Sequence, residues 1–254
     1  MTGEQPSFFA NQGLFSDHYL RERMGDHPEW AEDLTAQLEQ VRKLCRERRR
    51  LVEGSNEART EQEFIRPMLE LLGYSYIVQT PTDHQGKHGI PDYSLFSDET
   101  VKAEAAPLIK DARAFYSRAV AIGEAKSWGY PLDKASSSLV YDNPSFQIVA
   151  YLVGTGVTWG ILTNGKAWRL YYEKARGRAV TFYEADLLGL IERGDAAAFR
   201  YFWLFFRRAS LTPDASGKCF LERVLDGSAT YMAGVQDTLK QVVFAQVMPR
   251  LAEG

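Results

Sequence analysis

The sequence predicts an α/β protein, on three observations. Short β-rich apolar runs at Tyr74–Gln79, Asp92–Phe96, Ala119–Ala125, Thr158–Leu162 and Ala167–Tyr172 alternate with stretches whose apolar residues recur at helical spacing. Asn164-Gly165 between the last two runs is a hairpin signal, because a tight hairpin turn needs positive φ at its central residues. At 254 residues and 45% hydrophobic composition the chain buries a full core unaided, as one large domain or a domain with an appendage.

Residues 1–26 lack periodicity and predict a loosely attached arm. From Pro28 to about Val52, Trp30, Leu34, Leu38, Val41, Leu44 and Leu51 fall at helical spacing and predict one long helix. Ser55-Asn56 offers a fresh N-cap, and Phe64, Met68, Leu71 and Leu72 share a face of a second helix that stops at Gly73. After the strand at Tyr74–Gln79, residues 80–90 read as a loop. Val101 to about Tyr116 predicts a helix, residues 127–143 an exposed loop, and Asn143-Pro144 the start of a further helix through Leu152. Val180–Tyr183 predicts one more strand. Beyond Ala185 the character is helical, with stripes at Leu187, Leu188 and Ile191 and at Phe199, Phe202, Trp203 and Phe206. A last long helix from Cys219 to Leu251 carries apolar residues around much of its circumference, which calls for a partner. The expected organisation is an arm and long helix over 1–54, a core over 55–184 and a helical tail or connector over 185–254.

Composition narrows the function classes. Cys45 and Cys219 stand alone, so neither a disulfide scaffold nor structural zinc is expected, and two sparse cysteines suit a reducing cytosol. Residues 1–20 contain no signal-peptide core, and the most apolar segment, Phe199–Phe206, is too short to span a bilayer. The expectation is a cytoplasmic protein without a membrane partner. A net charge of −3 leaves room for a local basic patch, and Arg42, Lys43, Arg46, Arg48, Arg49 and Arg50 supply one. That patch reads equally as a solvated helix face or as a DNA contact, with Arg46 and Arg49 the candidate contacts.

The residues with the most chemistry lie between Pro91 and Lys126. Asp92 enters one apolar run, and Ala119–Gly123 leads into Glu124-Ala125-Lys126. If the two runs are adjacent strands, two carboxylates and an ammonium meet at one edge. Phosphodiester hydrolysis needs an activated water and positive charge where the transition state gathers negative charge. Mg²⁺ prefers carboxylates and water, which suits Asp92 and Glu124 together with the Ala125 carbonyl; Mn²⁺ is a possible substitute. Lys126, two positions after Glu124 on a strand, points to the same face and can orient or deprotonate the water.

In this context the chain resembles the PD-(D/E)xK nuclease superfamily. Asn56-Glu57, Phe64-Ile65, Pro67, Leu69 and Leu72-Gly73-Tyr74 are similar to the entry helix of the N-terminal endonuclease domain in type IIG/IIL restriction-modification and related phage-defence polypeptides. Gln147, Tyr151-Leu152, Gly160–Gly165 and Trp168–Tyr171 are similar to a second stretch of that domain. The resemblance covers about residues 55–172 and implies a restriction-endonuclease-like mixed β-sheet flanked by helices, with an N-terminal helix and a helical C-terminal tail. It implies Glu57 as a helix-borne acid near the metal, with Glu61 one turn on as a rival, and Gln147 approaching the site beside Lys126. A helix-dipole role for Glu57 and a capping or core hydrogen bond for Gln147 remain open.

Thr163-Asn164-Gly165 and Trp168 are expected to serve folding. His84 and His88 read as loop residues rather than zinc ligands, while Ser127, Trp128 and Lys134 are placed to contact a DNA backbone. No methyltransferase motif is complete: Asn143-Pro144-Ser145-Phe146 lacks the second Pro and the Tyr, and Gly154-Thr155-Gly156 follows a predicted helix. The expected partners are double-stranded DNA and separate methyltransferase or target-recognition modules, in a longer polypeptide or a partner subunit. The competing readings are a repair or RNA nuclease of the same fold and a catalytically silent DNA-binding or docking module.

Overall fold

The computed structural model describes residues 9–78, 90–133, 143–193 and 196–243. Its helices are α1 (Asp17–Glu22), α2 (Thr35–Val52), α3 (Glu57–Thr60), α4 (Arg66–Leu71), α5 (Glu99–Ala105), α6 (Ala112–Tyr116), α7 (Pro144–Thr155), α8 (Leu187–Arg193), α9 (Ala196–Phe206) and α10 (Phe220–Val242). The strands β1 (Phe9–Asn11), β2 (Ser75–Val78), β3 (Tyr93–Phe96), β4 (Ala121–Ala125), β5 (Trp159–Thr163), β6 (Ala167–Tyr172) and β7 (Tyr183–Asp186) form one mixed sheet. Their order is β1-β7-β6-β5-β4-β3-β2. Among these neighbours only β4 and β5 run parallel, and α7 makes the crossover that a parallel pair requires.

Period-two alternation divides the apolar residues between the two faces of the sheet. Ala121 and Ala125 of β4, and Trp168 and Leu170 of β6, enter one cluster with Leu38, Phe64, Met68, Phe199 and Phe202. Ile122 and Tyr171 enter the other, with Phe115, Ile148 and Leu152. The sheet is therefore covered on both sides, by α2–α4 and α9 on one face and α6–α7 on the other. Each fully buried Phe contributes about 1.5–3 kcal/mol of transfer free energy. The first cluster also takes in Phe9, Leu20, Leu190, Leu221 and Val224, so residues from α8, α9 and the start of α10 share a core with α2.

Several expectations are corrected. The arm over 1–26 is not loosely attached in its described part: β1 pairs antiparallel with β7, and Leu14, Phe15, Leu20 and Met24 are buried. Aromatic docking replaces periodicity here, with Phe9 stacked on Tyr183 at 5.5 Å and packed on Tyr201 at 4.7 Å. The long helix begins at Thr35 rather than Pro28, after a 3-10 turn at Pro28–Ala31, because Arg200 takes the Trp30 and Glu32 carbonyls.

The helix expected over 101–116 is broken. Pro107 falls in a 3-10 turn and the Asp111 carboxylate accepts from Ala114 N, capping a new helix. The strand expected at Val180–Tyr183 lies three residues later, because a 3-10 turn at Arg178–Val180 precedes it and β6 pairs with Tyr183–Asp186. Residues 127–133 are not a free loop, since Leu132 is buried and Asp133 pairs with Arg169. Finally, α10 finds a partner in the described fold only for its first turns: Phe220, Leu221 and Val224 enter the core, whereas Met232, Val235, Leu239 and Val243 are exposed. Among the described residues no helix is long and apolar enough to cross a membrane.

Candidate active site

The β3–β4 register sets Tyr93 opposite Gly123, Ser94 opposite Ile122 and Leu95 opposite Ala121. One further step along this antiparallel pair brings Asp92 opposite Glu124. The approach is close because Gly123 has no side chain: a Cβ there would lie 3.2 Å from the Tyr93 Cβ. Asp92 Oδ2 accepts the Ala125 backbone N–H at 2.8 Å. Lys126 Nζ donates to Glu124 Oε1 at 2.6 Å, and Lys126 N donates to Thr163 O, so the chain stays extended through the lysine. Strand periodicity then places Glu124 and Lys126 on one side. The candidate triad is thus assembled by register and pleat, with Glu124 5% and Lys126 15% exposed.

The electrostatics are those of an acid pair with one ammonium beside it. Burial, followed by the Asp92 charge, pushes Glu124 up to about 8, against the pull of Lys126. Burial also raises Asp92, opposed by the Ala125 N–H and by Lys126. For Lys126, burial acts downward but is outweighed by Glu124, with Glu57 and Asp92 adding to it, so the ammonium is held above its ordinary value. Glu124 Oε2 is buried with no donor among the described residues. Two carboxyls facing each other in this way call for a shared proton or a cation.

Helix α3 begins at Asn56, whose side chain accepts from Arg59 N at 3.0 Å. Its Glu57 is raised by desolvation first and then by Asp92 and Glu61, against Lys126, which places its carboxyl within the field of the site. Glu61 begins a π-helical turn, Glu61–Ile65, that joins α3 to α4. It is committed elsewhere: Tyr93 Oη donates to Glu61 Oε2 at 2.5 Å and Arg66 lies 3.8 Å away. Of the two rival helix acids, Glu57 has no side-chain bond among the described residues, while Glu61 braces Tyr93.

Gln147 lies on α7, and its Oε1 is buried without a donor; no bond joins it to Lys126. One turn later Tyr151 enters the field of both carboxylates. Its hydroxyl is raised by burial and then by Glu124 and Asp92. Sequence reasoning missed Tyr151 as a site residue, although its spacing of four from Gln147 puts both on one helix face. It also missed Thr60, whose Oγ1 accepts from Trp128 N at 3.1 Å and ties the segment after Lys126 to α3.

Thr163, Asn164 and Gly165 serve the fold. Asn164 Oδ1 accepts from Lys166 N and Ala167 N, and its Nδ2 donates to Tyr130 O. Gly165 combines a φ of 81° with a Trp128 ring that would sit 2.5 Å from any Cβ. Trp168 is fully buried.

The basic patch on α2 is not brought to the carboxylates. Arg49 pairs with Glu53 and Glu192 at 2.6 Å each, Arg48 with Glu63 and Arg42 with Glu39. Arg46 is exposed and, with Arg49, borders a surface cavity lined by Leu188 and Ile191 of α8. For Arg42, Arg48 and Arg49 the structure supports the solvated, ion-paired helix face. Lys134, His84, His88 and Ser136–Ser138 lie outside the described residues. Both cysteines are free and buried.

Among the described residues no cage of three or more His, Cys, Asp and Glu side chains is present. Asp92 and Glu124 supply two carboxylates, one with a donorless buried oxygen. That donor set fits Mg²⁺, which keeps several waters and is held by one or two carboxylates plus substrate phosphate. No family model matches the chain, and neither does any curated protein or solved structure.

Proposed function

We propose that this chain is a Mg²⁺-dependent endodeoxyribonuclease of the PD-(D/E)xK kind, with Mn²⁺ as a substitute, acting on double-stranded DNA in the cytoplasm. The observation that carries the reading is Asp92 set opposite Glu124 across β3–β4, with the Lys126 ammonium 2.6 Å from Glu124. The resemblance of residues 55–172 to the cleavage domain of type IIG/IIL restriction-modification and phage-defence polypeptides supports the same reading. It further points to methyltransferase and target-recognition modules as partners.

Bound Mg²⁺ would supply Lewis-acid charge to the scissile phosphate and lower the cost of attack by water. Asp92, Glu124 and the Ala125 carbonyl would hold it; Glu57 lies in the field of the site but does not join the two carboxylates in a three-acid cage among the described residues. Lys126, kept protonated by Glu124 and its other acidic neighbours, has no lone pair to act as a base at neutral pH. It acts instead as a donor that orients the attacking water and offsets charge on the pentacoordinate phosphorus. Burial of Glu124 keeps bulk water away from the pair, so each charge there acts in a weakly screened medium.

The test is nicking of supercoiled plasmid with Mg²⁺ or Mn²⁺, for the wild type and Lys126→Ala. Cleavage falls at least about 100-fold in the variant. Equal rates for the two proteins overturn the reading. So does a silent wild type whose melting temperature Mg²⁺ fails to raise.

A further inference from the structure

We infer that Lys166 is a phosphate-binding residue, which holds a backbone phosphate of the DNA beside the one being cut. The inference rests on the nuclease reading and adds to it a substrate contact. Parallel pairing of Ala125 with Thr163 brings the end of β4, and so Lys126, next to the turn that carries Lys166. The turn and the segment after Lys126 are bonded into one unit. Gly129 N donates to Asn164 O at 3.1 Å, Asn164 Nδ2 to Tyr130 O at 2.7 Å, and Lys166 N to Asn164 Oδ1 at 2.9 Å. A displacement of one lysine backbone would therefore displace the other.

The Lys166 side chain runs along this segment. Its Nζ lies 5.8 Å from the centroid of the Trp128 ring, and a Cβ on Gly129 would come within 3.1 Å of it. Trp128 is itself held: its N–H is bonded to Thr60 Oγ1, the Phe64 ring meets it edge-on at 4.8 Å, and Gly165 lies against its face. The stem of Lys166 is half-buried on a rigid aromatic and its ammonium rests three residues beyond Lys126.

That ammonium has no acid. Lys43, Lys102, Lys126, Lys218 and Lys240 each lie within 4.0 Å of a carboxylate; Lys110, Lys166 and Lys174 have none among the described residues, and of these three Lys166 is the one on the turn beside the end of β4. An ammonium has three donors and no acceptor, so its ligand is an acceptor-rich anion. Beside a site that cuts phosphodiesters, the anion presented is the next phosphate of the strand. As a point charge on a flexible stem, Lys166 would hold that phosphate without reading sequence.

The experiment measures binding of a mixed-sequence DNA duplex by fluorescence anisotropy between about 50 and 200 mM salt. The parent protein carries Lys126→Ala so that it does not cut. Lys166→Met keeps the aliphatic stem on Trp128 and removes the charge, and Lys166→Arg keeps the charge. The expected result is a log–log salt slope shallower by about 0.9 for Lys166→Met, weaker binding to every duplex, and recovery in Lys166→Arg, at matched melting temperatures. An unchanged slope and affinity in Lys166→Met overturns this inference and leaves the DNA reading standing. No binding by the parent overturns the DNA reading and this inference with it.

Discussion

Two buried charge clusters sit on the same sheet, and they differ in how completely their charges are answered. Arg169 on β6 is 6% exposed, and every side of its guanidinium is occupied. Asp133 accepts from Nη1 and Nη2 at 2.6 and 2.8 Å, Glu184 accepts from Nε, Ser145 Oγ lies 3.3 Å away, and the Phe182 ring stacks at 4.2 Å. The Asp92–Glu124–Lys126 cluster has one ammonium for two carboxylates, a donorless Glu124 oxygen and a Glu124 pushed up to about 8. A satisfied buried charge fixes geometry; here Arg169 joins the segment after Lys126 to the start of α7, which carries Gln147 and Tyr151. An unsatisfied one stores a demand that a ligand can meet.

The sharpest way to break this contrast is to remove each cation in turn. Arg169→Ala empties a buried site and leaves the half-buried Glu184 and the exposed Asp133 without their partner, and is expected to cost about 1–3 kcal/mol in chemical denaturation. Lys126→Ala should lower cleavage at least about 100-fold yet cost less stability, because Glu124, pushed up to about 8, can hold a proton in place of its ion pair. Equal destabilisation by both would remove the distinction between a structural and a functional cluster.

A smaller effect is expected from Glu124→Gln. The folded carboxyl lies near 8 against an ordinary 4.5, so the native state holds a proton that the unfolded state releases. This contribution is fully present below about 4.5, declines as pH rises and is lost above about 8. The metal-free wild type should therefore lose melting temperature between pH 5 and about 8 more steeply than Glu124→Gln, and Mg²⁺ should remove much of that difference. Parallel wild-type and variant curves would place the Glu124 proton elsewhere. The smallest effect belongs to Arg46→Ala, an exposed change away from the carboxylates, expected within about 0.5 kcal/mol and without effect on plasmid nicking. A large loss of cutting there would bring α2 back as a DNA surface.

Much of the site was legible because it depends on local rules. Glu-x-Lys on a strand reads as one face by the two-residue period, Asn56 reads as a cap, and Asn164-Gly165 reads as a turn. Asp92 and Glu124 were readable as a pair only on the condition that their strands were neighbours, and the β3–β4 register met that condition. Tyr151 was overlooked as a site residue because its spacing of four from Gln147 marks only a shared helix face; its chemistry comes from carboxylates just before β3 and on β4. What sets Glu61 apart from Glu57, its bond to Tyr93, likewise comes from a residue 32 positions away in the chain.

By itself the sequence determined the α/β class, most of the helix and strand positions, and the Glu-x-Lys pair that shares one side of a strand. These follow from periodicity, capping and turn preferences, which act over a few residues. Only the tertiary structure decided that residues 9–11 close the edge of the sheet, that the helix expected over 101–116 breaks, and that β7 starts at Tyr183. It alone separated Arg42, Arg48 and Arg49 of α2, each paired with a carboxylate, from Arg46 and Lys166, which have none among the described residues. Those outcomes depend on contacts between residues far apart in the chain, and such contacts form only when the whole sheet and both of its covering layers are in place.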